Sequence, residues 1–343
     1  MTRTISEPTT RRLFNGHLGW IWRLALSQDG KTLAGGGSGA DPRIHLWSVE
    51  TGEVRGVLEG HTDSVTGLAF SPDDKTLYSC SHDNTLREWD MEHLRQRGEP
   101  TLRSKQPFNH LALSQDGTLA TGGDEKTLFL RNPGSHTFRC IERFEGQILR
   151  LALSSDGSIL AVGMWDGHLK ILSRQEDCRF QTLHSLQLDS IIWALTFTPE
   201  GELLCGTEGG QIHLVDVRTG VSRHRPELTV HTRGEIHALA FTRNSLLVGQ
   251  CDTSVADGTR GSGRLHAVSW PDGALELALT DFWGWVNAVI PVNGGQSLLV
   301  SKNRTQSPAE SPDRYAPCLL DFGCPDLGRH TILTPEARAA ARW

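Results

Sequence analysis

The chain has 343 residues, 37% of them apolar, with 34 Lys and Arg against 40 Asp and Glu and a net charge of −6. That balance, with no block of like charge, makes no electrostatic case for nucleic acid or an anionic membrane, and no apolar run reaches the length of a bilayer span. Seven cysteines, an odd number with no Cys-x-x-Cys pair, point to a reduced, cytoplasmic protein.

Residues 1–10 lack the apolar centre of a signal peptide and read as a flexible tail. Arg11 to Gly16 is a short strand-like run with no partner near it in sequence. From Trp22 onward the chain repeats. A turn of Ser/Thr-x-Asp/Glu-Gly character begins at Ser27, Ser71, Ser114, Ser154 and Thr198, with degenerate copies at Thr242 and Val292. The interval is about 40 to 50 residues, the scale of a repeat architecture. Each turn is preceded by an alternating apolar run (22–27, 65–71, 108–114, 148–154, 193–198, 237–242, 286–292). A second run follows it (32–37, 76–81, 118–123, 159–164, 203–208, 246–251, 298–303), then a third (43–49, 85–91, 127–133, 168–174, 211–217, 264–270, 318–324). Period-two hydrophobicity broken by Gly, Pro, Asp and Asn predicts antiparallel strands. Fourth strands are more variable, as at 53–59, 138–144, 180–186 and 275–281.

The sharpest copy runs from Gly60 to Asp90. Gly60-His61 opens it and Trp89-Asp90 ends it; Gly16-His17 and Trp47 repeat part of the pattern. This stretch resembles a WD40 repeat. The resemblance implies an all-β, seven-bladed β-propeller over residues 11–324. The last repeat lacks a fourth strand, and residues 11–16 are expected to supply it, closing the ring. Residues 325–343 remain as a tail, with a short helix predicted from Thr334-Pro335. The family's buried hydrogen-bonded tetrad maps onto His61, Ser79, Asp83 and Trp89; later repeats replace the Trp by Leu130, Ile171, Val215 and Val268.

Function is expected on the face that carries the interblade links and the turns between second and third strands. Three of those turns are enlarged, at 38–42, 252–263 and 304–317, and long loops on a rigid scaffold are usual carriers of function. Ring closure makes their blades, one, six and seven, neighbours. Trp20 and Trp285 enter first strands, Trp22, Trp193 and His237 lie two places on, and Trp283 is placed in a link. Amphipathic rings there are binding anchors. Arg23, and Arg150 at the equivalent position, are candidates to orient an acidic group.

His45, His213 and His266 share a third-strand position but sit on separate blades, so they are not expected to converge on a metal; neither a metal nor a cofactor is predicted. No Gly-x-Ser-x-Gly, P-loop or paired-carboxylate motif occurs. The WD40 resemblance therefore implies a non-catalytic scaffold binding a protein or peptide across blades six, seven and one, as a subunit of a multi-protein complex. The alternatives are a propeller enzyme or small-molecule sensor using the same face, with Glu235, His237 and Asp252 as its polar groups, and a subunit of a ribonucleoprotein.

Overall fold

The computed structural model describes residues 10–226, 228, 234–242, 245–251, 262–273, 275–283, 285–292, 297–303 and 316–321. The expected C-terminal helix and most of the loops 252–263 and 304–317 lie outside the described residues.

Those residues form twenty-nine strands and no helix. β1 (Thr10–Leu13) comes first. Blade one is β2 (Ile21–Leu26), β3 (Thr32–Gly37), β4 (Ile44–Ser48) and β5 (Val54–Leu58). Blade two is β6 (Val65–Phe70), β7 (Thr76–Ser81) and β8 (Thr85–Asp90), its outer edge split into β9 (Arg95–Gln96) and β10 (Leu102–Arg103). Blade three is β11 (Phe108–Leu113), β12 (Leu119–Gly123), β13 (Thr127–Arg131) and β14 (Arg139–Arg143); blade four is β15 (Ile148–Leu153), β16 (Ile159–Met164), β17 (His168–Arg174) and β18 (Phe180–Gln187). Blade five is β19 (Ile192–Phe197), β20 (Leu203–Thr207), β21 (Ile212–Val215) and β22 (Ser222–His224); blade six is β23 (Glu235–Phe241), β24 (Ser245–Cys251), β25 (Ser262–Ser269) and β26 (Leu275–Trp283). Blade seven is β27 (Trp285–Val292), β28 (Ser297–Asn303) and β29 (Cys318–Asp321), with β1 as its outer strand. The architecture is a seven-bladed β-propeller.

The repeating turn is one local structure used again and again. Ser27, Ser71 and Ser154 each donate their hydroxyl to the carboxylate two residues on, at 2.6 Å. Each hydroxyl also accepts the N–H five residues on, at 2.9 Å. The fourth turn residue has a left-handed φ, 70° at Gly30 and 57° at Asp74. Glycine adopts that conformation freely and Asp tolerates it, which is why the turn reads Ser-x-Asp-Gly.

A second regularity is not obvious from the sequence. In all seven blades the innermost strand carries a β-bulge at its start, between the residue pairs 21/23, 65/67, 108/110, 148/150, 192/194, 236/238 and 286/288. The residue taken out of register is Trp22, Thr66, Asn109, Leu149, Trp193, His237 or Asn287. A bulge frees backbone groups from the ladder, and those groups need partners. Neighbouring blades provide them. Arg23 Nε donates to Thr66 O at 2.8 Å, Thr66 Oγ1 to Phe108 O at 2.6 Å, Asn109 Nδ2 to Ile148 O at 3.0 Å and Arg150 Nε to Trp193 O at 2.6 Å. Four successive blade-to-blade steps are linked in this way.

The core lies between blades rather than within one. Leu128 and Leu130 of blade three pack with Ile148, Leu151, Leu160 and Val162 of blade four, and Phe14, Ile21 and Trp47 pack with Val292 and Leu299 across the closure. Each such buried side chain stabilises the fold by about 1.5–3 kcal/mol. Blades approach closely: a Cβ at Gly206 would lie 2.5 Å from Ile236 Cγ2 of the next blade.

The closing strand pairs Thr10 to Leu13 antiparallel with Asp321 to Cys318, and Phe14 N–H then bonds Pro317 O at 3.0 Å. Its span is shorter than the 11–16 read from the sequence, because Phe14 turns in to become fully buried at the blade seven–blade one seam. Trp283, expected in a link, ends β26 instead. Removing residues 1–13 exposes the edge of β29. The truncated protein should melt at lower temperature and self-associate, as an unpaired strand edge does; calorimetry and light scattering check both. Unchanged melting would show that β29 needs no partner.

Candidate functional site

The tetrad residues of blade two meet in the structure. Trp89 Nε1–H donates to Ser79 Oγ at 2.7 Å, Ser79 lies 2.7 Å from His61 Nε2, and His61 Nδ1 lies 2.8 Å from Asp83 Oδ2. The carboxylate can only accept, so Nδ1 carries the proton and Nε2 takes the Ser79 hydroxyl. The relay therefore runs one way through a neutral imidazole. Asp83 also accepts from Thr62 N at 3.1 Å and Thr85 Oγ1 at 2.6 Å. Its role is to tie the outer strands of one blade to the link before it.

Burial lowers the His61 pKa, outweighing the attraction of Asp83. Burial alone pushes Asp83 up, but the hydrogen bonds from His61, Thr85 and Thr62 hold it well below the usual carboxylate range. The sign follows for both groups. The unfolded chain takes up protons that the folded one refuses, so stability present above pH 6.5 falls as pH drops through His61, and falls again below the ordinary carboxylate value. One such proton is worth about 1.4 kcal/mol per pH unit. Urea unfolding should show His61→Gln losing that part of the slope between pH 6.5 and 5. Ser79→Ala, which strands Trp89 Nε1 and His61 Nε2, should cost about 2–3 kcal/mol at pH 7.

The bulges set the inner-strand side chains at one end of the channel, and the turns after the second strands lie at that same end: Trp165 N–H, just beyond β16, bonds Gln147 O, just before β15. Two aromatic groups form there. Trp20 and Trp22, both half-buried, meet edge to face at 6.0 Å on blade one. Trp193 of blade five lies 5.0 Å from His237 of blade six. The side chains of Trp283 and Trp285 lie outside the described residues.

Sequence reading missed Trp165. It projects from the short turn of blade four, 49% exposed, and its ring meets Trp193 edge to face at 5.6 Å. Under Trp193 lies Arg150, its guanidinium 5.4 Å from the ring centre. Burial drives the Arg150 pKa down, and Arg23 adds to the effect; burial likewise brings Arg23 to about 10. Both guanidiniums donate to backbone carbonyls, Arg23 to residues 22 and 66 and Arg150 to residues 149 and 193. They therefore act as brackets between blades more than as free arms reaching for a partner. His110 of blade three, between them in the ring, has its pKa lowered by burial first and then by both arginines. His237 Nε2 lies 2.9 Å from Glu235 Oε2; burial lowers its pKa despite that carboxylate.

The three third-strand histidines lie apart, as expected from their blades. His213 pairs with Asp189 at 2.6 Å. His45 is different: it meets His17 and Asp41, the latter delivered by the enlarged loop 38–42. No sequence signal placed Asp41 there, because the loop looked like an insertion with no set conformation.

The family model described as WD domain, G-beta repeat, matches residues 8–48, 52–90 and 138–173. Protein ROOT INITIATION DEFECTIVE 3 of Arabidopsis thaliana is 27% identical over 71% of this chain and 59% of its own length. Protein groucho of Drosophila melanogaster is 29% identical over 55% of this chain and 25% of its own length. Striatin-4 of Mus musculus is 38% identical over 22% of this chain and 11% of its own. The chain thus spans less than two thirds of each of these relatives.

Proposed function

Because this chain is a seven-bladed propeller of WD40 repeats, we propose that it is a non-catalytic interaction platform that binds a protein or peptide partner on the end of the channel carrying the bulged residues. The matched segment is only part of each of these relatives, and service as one subunit of a multi-protein assembly is part of the proposal. Cys80, Cys140, Cys178 and Cys205 form no disulfide, and a reducing, cytoplasmic setting is part of the proposal.

One observation carries the reading. Trp165 is half-exposed yet braced on its inner side by Trp193, which is itself held by Arg150 and His237. A large amphipathic ring, pre-oriented by packing and open to solvent on its outer side, is the usual anchor of a protein interface. The aromatic arc then runs from Trp165 on blade four through Trp193 and His237 to blade one, where Trp20 and Trp22 stand. This extends the expected face, blades six, seven and one, toward blade four. In this reading Trp165 and Trp193 bury apolar partner groups, and Glu235 with His237 supplies a polar rim.

The test is capture of a partner by the intact chain beside two variants, Trp165→Ala and Trp20→Ala/Trp285→Ala. Trp165→Ala should leave the melting temperature nearly unchanged, since half its surface is already in water. It should weaken binding by about 30-fold, the ~2 kcal/mol of an interface hot spot. If both variants bind as the parent does, the partner sits on another surface and this reading fails.

A further inference from the structure

Blades one and two are built on the same plan and differ at two chemically decisive positions. Gly35 pairs across the sheet with His45 as Ser79 pairs with Arg87. Asp41 Oδ2 accepts from Leu18 N at 2.8 Å as Asp83 Oδ2 accepts from Thr62 N at 3.1 Å. His17 therefore corresponds to His61, Asp41 to Asp83, Trp47 to Trp89, Gly35 to Ser79 and His45 to Arg87. Blade one has lost the hydroxyl that bridges the Trp and His of blade two, and has gained a second imidazole.

The consequences are visible in the hydrogen bonding. Trp47 Nε1–H no longer has a serine and donates to Asn15 O at 2.8 Å. His17 Nδ1 lies 2.9 Å from Gly19 O and 3.4 Å from Asp41 Oδ2, while its Nε2 is buried with no hydrogen-bond partner. Neither nitrogen of His45 makes a hydrogen bond; Nε2 stands 3.5 Å from Asp41 Oδ2. The two imidazoles lie 4.6 Å apart. Their side chains are 0% and 4% exposed, and that of Asp41 is 2% exposed. Buried imidazole nitrogens left without partners are costly, and their persistence calls for an explanation.

We propose that His17, His45 and Asp41 form a binding site for one transition-metal dication of the zinc class. One nitrogen of each ring and one carboxylate oxygen lie within 4.8 Å of one another. Two ligand atoms about 2 Å from a common ion stand at most about 4 Å apart, so small side-chain rotations complete the site. Two imidazoles and one carboxylate suit zinc, whereas calcium and magnesium take oxygen ligands throughout. Arg43 Nε holds the other oxygen of Asp41 at 2.6 Å, which fixes the carboxylate's orientation as outer-shell partners do in metal sites. The glycine run is part of the design: a Cβ at Gly37 would lie 2.1 Å from His17 Cε1, so any other residue there would displace the first ligand. A metal at this place would tie β4 and the loop 38–42 to the link before blade one, the work done in blade two by the Ser79 hydroxyl.

The experiment is titration of chelator-treated, full-length protein with Co2+, followed in the visible, with Zn2+ as competitor. The parent protein should take up one equivalent with the ligand-field bands of a low-symmetry nitrogen and oxygen site, without a thiolate charge-transfer band, and Zn2+ should displace it. Zn2+ should also raise the melting temperature. His45→Arg gives blade one the residue that blade two carries at this position; with its fold checked by circular dichroism, it should lose stoichiometric uptake, as should His45→Gln, with affinity down by more than about tenfold. Failure of the parent to bind either metal overturns the proposal. So does equal uptake by the two variants, or a thiolate band, either of which places the metal on other residues.

Discussion

The constraint on which the rest of the molecule depends is the bulge at the start of every inner strand. Seven sheets radiating from one channel bring their first strands together in a ring, and each of those strands shifts register by one residue at its start. Taking one residue out of register leaves backbone carbonyls without ladder partners. Those carbonyls are taken up by Arg23, Thr66, Asn109 and Arg150, each bonding to the next blade. The same step that joins the blades also sets Trp22, Trp193 and His237 at the mouth of the channel. Scaffold and candidate site are therefore consequences of one backbone feature.

With the ring so fixed, individual blades are free to differ. Only residues 8–48, 52–90 and 138–173 match the family model, yet all seven blades form. The signature residues serve the outer half of a blade, as His61, Ser79, Asp83 and Trp89 show, whereas assembly rests on interblade apolar packing and on small residues such as Gly163 and Gly206 where inner and second strands of adjacent blades meet. Blade one shows how far this freedom extends. Its backbone follows blade two, but Gly35 and His45 convert a hydrogen-bonded relay into a pocket of imidazole nitrogens and a carboxylate. In both arrangements burial lowers the pKa of the histidines.

The candidate site was only partly legible. Trp22, Trp193 and His237 could be placed at one level because the turn spacing aligns the inner strands. Trp165 could not, since its turn in blade four is short and carries no mark of function; its standing comes from resting against Trp193, 28 residues away in the chain but adjacent in space. Arg23 and Arg150 read as available cations, whereas the freed carbonyls of the next blade engage them. Asp41 sat in a loop that looked like an insertion. For Trp165, Arg23 and Arg150 the missing information was a contact between blades; for Asp41 it was a loop folding back on its own blade and the link before it, and no local pattern encodes either.

By itself the sequence determined the number of blades, the position of nearly every strand and the source of the closing strand. These follow from local physics: period-two hydrophobicity, a turn whose Ser, Asp and Gly each have a backbone reason to be there, and a repeat interval that leaves the first and last segments to complete one sheet. Only the tertiary structure decided which side chains meet. The bulges and the brackets between blades arise when seven similar sheets are forced into one ring, and the convergence of His17, Asp41 and His45 arises when a loop and a link close over one blade; in both, the available space, and not the neighbouring residue in sequence, sets the partner.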